Sequence, residues 1–468
     1  MLVIAILIFV ESAMFSRRQF IFSAGTLAFM GLTRSAFGKV SLTGVTNTVP
    51  AYGPLIADAK NLLDLPAGFS YQVISQLGDK MNDGLDVPDK ADGMGCIALD
   101  DDRVALIRNH ELSPDNIKRA SASIQSHRTP LAYDAFDDGV ALPGGTSHII
   151  YNVKTQKREQ EFLSLCGTMR NCSGGITPWG SWLTCEESVL NESDGFAKPH
   201  GFIFEVPATA KGLVNAEPIV AMGRFNHEAA AVDPRTGIVY LTEDRGDSLF
   251  YRFIPNQTGK LNKGGKLQAM AVKRKPQFDS RNWIDAAMAL QVNMDVEWVD
   301  LTEPESPKDD LRLRGYAQGA ALFARGEGIH WGDKELYFCC TNGGKKQLGQ
   351  VMKYQPSPFE GTDKEQAVPG QIQLFLESVD KSLFNFGDNL TVAPNGHLIV
   401  CEDQYTAIVD NHLRGVTPQG DVYNFARLTA QTELAGACFS PDGKTLFVNV
   451  YSPTKTLAIT GPWDHFER

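Results

Sequence analysis

Phe225-Asn226-His227-Glu228-Ala229-Ala230-Ala231-Val232-Asp233-Pro234-Arg235-Thr236-Gly237-Ile238-Val239-Tyr240-Leu241-Thr242-Glu243-Asp244-Arg245-Gly246-Asp247 is the pattern from which the rest of the chain can be read. Residues 229–232 run as a strand into the turn Asp233-Pro234-Arg235-Thr236-Gly237, and residues 238–242 run back. Antiparallel pairing returns Glu228 to the side of Glu243 and Asp244, so carboxylates gather at one end of a hairpin. Two like charges 4 Å apart repel by about 4 kcal/mol at an effective dielectric of about 20. A cation between them removes that cost. For a single hairpin the plain alternative is that the carboxylates point apart into solvent.

The pattern recurs. Residues 96–111 turn at Asp100-Asp101-Asp102 and end Asn109-His110-Glu111, and residues 172–187 turn at Pro178-Trp179-Gly180 and end Cys185-Glu186-Glu187. Residues 327–342 turn at Gly332-Asp333-Lys334, residues 388–403 at Pro394-Asn395-Gly396, and residues 436–451 at Pro441-Asp442-Gly443. Strand-like runs at 148–153, 201–206, 249–254, 349–355 and 420–425 supply third strands between them. Hairpin units that cannot bury their faces alone close into a ring, so the expectation is an all-β, six-bladed β-propeller with inserted loops. The largest insertion is 257–314; within it residues 285–290 read as a short helix and residues 308–314 as a solvated charged stretch. The acid-rich segment 79–92 reads as a solvated loop without EF-hand spacing. In a propeller, equivalent hairpin ends meet around one channel. Glu111, Cys172, Glu186, Glu187, Glu228, Glu243, Asp244, Glu327, Asp388, Asn389, Glu402 and Asp403 would then face one region. So many buried acids without counter-charge are not viable, and a site holding several metal ions is expected.

The composition agrees. With 468 residues, 43% hydrophobic and 21% charged, the chain is long enough for a large core, and its net charge of −11 leaves no basic face for nucleic acid. Ser16-Arg17-Arg18-Gln19-Phe20-Ile21 followed by an apolar run to Leu32 and by Ala36-Phe37-Gly38 reads as a twin-arginine signal peptide over residues 1–38. That run is short for a bilayer span. A single propeller domain is expected over 39–468, delivered by the twin-arginine translocation machinery to a bacterial periplasm or the exterior, with no stable membrane span in the mature chain. The eight cysteines form no Cys-x-x-Cys pair, which excludes a zinc ribbon or a thioredoxin-like site and reads most of them as small buried hydrophobes.

Several segments together resemble the PhoX family of alkaline phosphatases: Asn109-His110-Glu111, the run from Asn171-Cys172-Ser173-Gly174 through Pro178-Trp179-Gly180-Ser181-Trp182, Cys185-Glu186-Glu187, and Arg224-Phe225-Asn226-His227-Glu228. Thr242-Glu243-Asp244-Arg245-Gly246-Asp247, Arg325-Gly326-Glu327-Gly328, Asp388-Asn389-Leu390 and Phe439-Ser440-Pro441-Asp442-Gly443 continue the likeness. It spreads from about residue 60 to the C-terminus. The resemblance implies a propeller whose channel mouth holds iron(III) and calcium and cleaves small-molecule phosphate monoesters. It matches Cys172, Glu228 and Glu327 to iron ligands and Arg325 to the phosphate-binding, catalytic arginine. Glu111, Glu186, Glu187, Glu243, Asp244, Asn389, Glu402 and Asp403 fall to the remaining metal shell. Leu112 follows Asn-His-Glu where an aromatic residue is expected, which places substrate specificity in question more than chemistry.

Hard oxygen ligands suit calcium, and one thiolate among carboxylates suits a high-valent iron. Clustered cations polarise phosphoryl oxygens, and Arg325 would clamp the developing charge. His110 and His227 each neighbour a proposed ligand in a strand and should face the other way, as supports rather than ligands. No nucleophile elbow, P-loop, dinucleotide fingerprint or His-Glu-x-x-His motif occurs. Two other readings remain: a calcium-dependent propeller lactonase or arylesterase, which has no use for Cys172 or Arg325, and a non-enzymatic scaffold whose cations only pin the ring.

Overall fold

The turn residues predict where the chain reverses, and the structure, a computed structural model, follows them. It describes residues 48–466 apart from residues 120 and 122, so the signal-peptide reading lies outside the described residues. The recurring hairpins have inner strands Ala91–Ala98, Asn171–Ile176, His227–Val232, Gly326–Trp331, Gly387–Val392 and Leu434–Phe439. Each pairs antiparallel with a return strand, respectively Arg103–His110, Ser181–Glu186, Val239–Glu243, Leu336–Cys340, Leu398–Glu402 and Thr445–Val450. Every inner strand packs against the next one in sequence, and the last packs against the first, so they line a closed circuit. The arrangement is all-β and propeller-like. The circuit is fastened where Ser70–Gln76, early in the chain, pairs with Lys455–Thr460 near its end.

The strands group into five sheets among the described residues. Ala91–Ala98 begins a four-stranded sheet, Asn171–Ile176 a three-stranded one, and Leu434–Phe439 a four-stranded one completed by Ser70–Gln76. The hairpins starting at His227 and Gly326 share one nine-stranded sheet, because Asn293–Leu301 pairs at its end with Gln371–Glu377. Leu55–Ile56 and Leu63–Pro66 widen the sheet that starts at Gly387 to six strands. The blades are therefore not six separate sheets.

The insertion departs from expectation. Residues 285–290 form no helix. Asn282 captures that segment from both sides, accepting from the Met288 amide at 3.0 Å and donating to the Met288 carbonyl at 2.9 Å, which leaves the backbone irregular. The α-helix among the described residues is instead Leu311–Ala317, which begins inside the 308–314 stretch read as solvated charge and runs past it; it buries Leu311 and Gly315. Much of the insertion is strand, Gly265–Val272 paired with Asn293–Leu301.

Apolar residues from neighbouring sheets fill the spaces between them. Phe250, Phe323 and Phe338 meet in one such layer, with Phe250 and Phe338 stacked at 4.4 Å. Each such ring contributes about 1.5–3 kcal/mol by leaving water. All eight cysteines are free thiols, and seven are buried as small core residues. Cys172 is the one that is only half-buried.

Candidate metal centre

The second residue of an inner strand is the position that carries the chemistry. Asp92, Cys172, Glu228, Glu327 and Asp388 occupy it in turn, and Ala435 occupies it in the last. Close to this position each inner strand breaks register with its partner, as between Asn171 and Gly174, His227 and Ala230, and Gly326 and Ile329. A bulge of this kind bends the strand and re-aims a side chain. In every inner strand but the one with Asp388, where Asn389 follows, the next residue is small, which lets inner strands approach closely: a Cβ on Gly93 would lie 2.5 Å from Cα of Ser173, and one on Gly328 would lie 2.7 Å from Cα of Asn389.

Two groups of ligand atoms result, Glu111–Cys172–Glu187 and Glu228–Glu327–Asp388, each with its atoms within 4.8 Å of one another. Asp92 joins them, its Oδ2 3.4 Å from the Cys172 Sγ. Both carboxylate oxygens of Glu228 and Oδ1 of Asp92 are buried without a hydrogen-bond partner among the described residues. Burial first, and then neighbouring acids such as Asp388 and Asp92, push the Glu228 carboxyl well above the ordinary range. Glu327 and Asp92 are raised for the same reasons, and Asp388 is pushed up to about 7 by burial and by Asp403. Burial beside Asp92 and Glu228 likewise raises the Cys172 thiol. A buried charge without partners costs several kcal/mol, so this group favours either protons or cations. Hard carboxylates with one sulfur form a donor set suited to metal.

Cations of the protein stand on the rim. Arg325 precedes Gly326 and grips Asp244 with two bonds, Nε at 2.7 Å and Nη2 at 2.9 Å, with Nη2 also 3.3 Å from Glu327. Tyr405 lies over its guanidinium at 5.4 Å. Burial opposes the charge of Arg325, but Asp244 and Glu327 outweigh it and raise its pKa. Arg170, which precedes Asn171, has the same role between Glu111 and Glu187. Arg170 and Arg325 both hold φ at 48°, and Lys90 and Phe386, before their own inner strands, hold 54° and 52°. Left-handed backbone at bulky residues costs about 1–3 kcal/mol and clusters at functional sites.

The structure does not bring every expected ligand to this group. Glu186, Glu243 and Glu402 lie at the ends of return strands, one residue before Glu187, Asp244 and Asp403, and strand alternation sends neighbours to opposite faces. Glu186 accepts from the amides of Met169 and Gly201 and pairs with His200 at 2.6 Å. Glu402 accepts from the Asn385 amide and from Arg414, and Glu243 accepts from the Tyr251 hydroxyl at 2.6 Å. Asn389 is also committed, accepting from the Gly436 amide at 2.6 Å and donating to Asp388. Asp403 faces Asp388 and Glu433; burial and Asp403 raise Glu433 well above the ordinary range.

The supports are local. Asn109 donates to the carbonyls of Cys172 and Ser173 and accepts from Trp182, which pins the backbone under the thiol. Thr242 does the same for Glu327, donating to its carbonyl at 2.6 Å. His110 contacts the Asp89 carbonyl and Ser147, and His227 contacts the Gly223 carbonyl and stacks on Phe225. Burial pushes His227 down to about 3 and keeps it neutral. Asp92 was hidden in the acid-rich segment read as a loop. The signal for it is an acid or thiol followed by a small residue, shared by Asp92-Gly93, Cys172-Ser173, Glu228-Ala229 and Glu327-Gly328. Further along the same strands the channel opens into a cavity of about 420 Å³ lined by Ile176, Val232, Ile329, Trp331 and Phe439, with no acid on its wall.

An all-β, propeller-like ring with acid and thiol groups gathered at one place in its channel is the class that fold and site define. The profile of the family described as alkaline phosphatase PhoX matches residues 50–454. The chain belongs to that family and is a phosphomonoesterase. Among solved structures, Pseudomonas fluorescens PhoX in complex with vanadate, a transition state analogue, has a TM-score of 0.62 at 17% identity, covering 90% of this chain and 98% of that one. A gluconolactonase from Xanthomonas campestris has a TM-score of 0.41 at 9% identity, over 89% of this chain and all (100%) of that one. No curated protein matches.

Proposed function

We propose that the chain is an exported alkaline phosphatase whose channel mouth holds iron(III) and calcium and releases phosphate from small organic phosphate monoesters. The observation that carries the metal reading is Glu228, which is fully buried with both oxygens unpartnered beside Asp92, Cys172, Glu327 and Asp388. In this reading Cys172, Glu228 and Glu327 hold iron, Asp388 and Asp92 complete the group, and calcium takes the remaining oxygens, including those of Asp244 and Asp403. When bound, the ions polarise the phosphoryl oxygens and activate water. Arg325 binds the phosphate: Nε and Nη2 are spent on Asp244, Glu327 and the Tyr405 hydroxyl, while Nη1 has no acceptor among the described residues and the side chain stays 25% exposed. Asp244 sets the direction of that fork, and the left-handed backbone at Arg325 aims it. Tyr405 shields its outer face.

Six blades are the reading supported by the closed circuit of inner strands, with the nine-stranded sheet counted as two blades. Export rests on the Ser16-Arg17-Arg18 pattern and on the family; among the described residues no helix is long and apolar enough to cross a membrane. The test is turnover of a chromogenic aryl phosphate at alkaline pH by protein made through its native export route, with metal analysis of the same sample. Phosphate release with iron and calcium present is the expected result. Lactone hydrolysis with calcium alone and no phosphatase activity would overturn the assignment.

A further inference from the structure

The two ligand groups differ in how their charge is met. In Glu228–Glu327–Asp388 the protein supplies Arg325 to Glu327 at 3.3 Å and nothing to either oxygen of Glu228. In Glu111–Cys172–Glu187 it supplies a cation to both acids. Arg170 donates to Glu111 Oε1 through Nε at 3.0 Å and through Nη2 at 2.8 Å, and Nη2 also donates to Glu187 at 2.6 Å. The other oxygen of Glu111 accepts from the Tyr451 hydroxyl and lies 3.8 Å from the Lys90 ammonium. Lys90 in turn sits 5.3 Å over the Tyr451 ring. A guanidinium is planar, always charged and matched to carboxylates, so it can bridge two acids as a divalent ion would, with fixed direction.

We infer that Arg170 is a resident cation of the channel mouth, holding Glu111 and Glu187 together in place of a divalent ion, so that metal loads on Glu228, Glu327, Asp388 and the Cys172 thiol and not between these two acids. The inference deepens the metal reading above and rests on it. Three observations point the same way. Arg170 occupies the backbone position of Arg325 in another hairpin, with the same φ of 48°. Its partners come from two different hairpins, so it bridges across the circuit as a metal would. Asp92, 5% exposed, lies with its Oδ2 beside the Cys172 sulfur and keeps Oδ1 unpartnered among the described residues, so removing Arg170 leaves a ready set of hard oxygens around one thiol.

The experiment is a calcium titration by calorimetry on the metal-extracted full chain, comparing wild type with Arg170→Ala and Arg170→Lys. Arg170→Ala should bind one more calcium ion per chain than wild type, and Arg170→Lys, which keeps a positive charge, should bind the wild-type number. The paired change Glu111→Gln with Glu187→Gln in the wild-type background should leave calcium stoichiometry unchanged, and this holds the inference to account if the alanine variant does not fold. Equal stoichiometry in Arg170→Ala and wild type, or a loss of one ion in the double glutamine variant, would overturn it. Wild type that binds no calcium or iron while Arg170→Ala gains a site would instead contradict the metal reading and leave the role of Arg170 supported.

Discussion

The same inner strands build two unlike stretches of the central channel. At their first residues they gather Asp92, Glu228, Glu327, Asp388 and the Cys172 thiol, and further along they line an apolar cavity with Val232, Ile329, Trp331 and Phe439. The apolar stretch is what a closed ring of strands requires for stability, since burying such side chains offsets the entropy of ordering them. The acid stretch works against the fold. Its carboxyls are raised by burial and mutual repulsion, and oxygens of Glu228 and Asp92 go unpartnered. A feature that destabilises the protein alone and is supported by bulges and left-handed residues is one maintained for what it binds.

The largest break in that contrast should come from Glu228→Gln. Losing one carboxylate of the unpartnered group should lower metal content and cut phosphate-ester turnover by about a thousandfold, because metal binding supplies several kcal/mol of charge stabilisation. Steady-state rates and metal analysis on one preparation check this. Arg325→Ala comes next, with turnover reduced by about a hundredfold, the scale for one preorganised donor, and weaker inhibition by phosphate. Metal content should stay unchanged, and its loss would mean that Arg325 serves the acids alone.

A smaller effect separates the acids that the protein serves from those it does not. Glu186 is paired with His200, which burial pulls down but Glu186 and Asp134 raise to about 9. A histidine whose folded pKa is raised stabilises the fold fully below its unfolded value, about 6.5, and the contribution fades as pH rises through about 9. The wild-type urea midpoint should therefore fall between those limits by the equivalent of about 2 kcal/mol, and His200→Gln should lose that slope. A flat wild-type profile would show that His200 is neutral and Glu186 is held by amides alone. The smallest effect belongs to the apolar stretch. Val392→Ala, on the cavity wall, should cost about 1 kcal/mol in a melting curve and change neither metal content nor turnover.

Much of this was legible in the residues. Turn chemistry such as Asp233-Pro234-Arg235-Thr236-Gly237 and Pro394-Asn395-Gly396 located the hairpins, and their repetition implied the ring. What pattern could not supply was direction. Glu186 and Glu187 are neighbours of one type, and only strand alternation at the end of Ser181–Glu186 decides that one meets His200 and the other meets Arg170. Asp92 escaped because a bulge breaks the alternation that marks a strand just where Ala91–Ala98 begins. Glu433 precedes Leu434–Phe439, whose ring position is the chemically silent Ala435, so nothing nearby marks it. Residues 285–290 were misread because a helix-compatible composition carries no trace of Asn282, whose side chain holds Met288.

The central claim is that the acid group of the channel needs cations and that Glu228 is the acid least served by the protein. Melting curves of wild type and Glu228→Gln, each with bound metal and after extraction by a chelator, test it most directly. Wild type should lose stability on extraction, and the extracted Glu228→Gln chain should melt above extracted wild type, since one uncompensated buried acid is gone. The reversal should vanish when metal is restored. If extraction leaves wild type unchanged, and Glu228→Gln melts no higher than wild type without metal, then the acids are at ease without cations and the account is wrong.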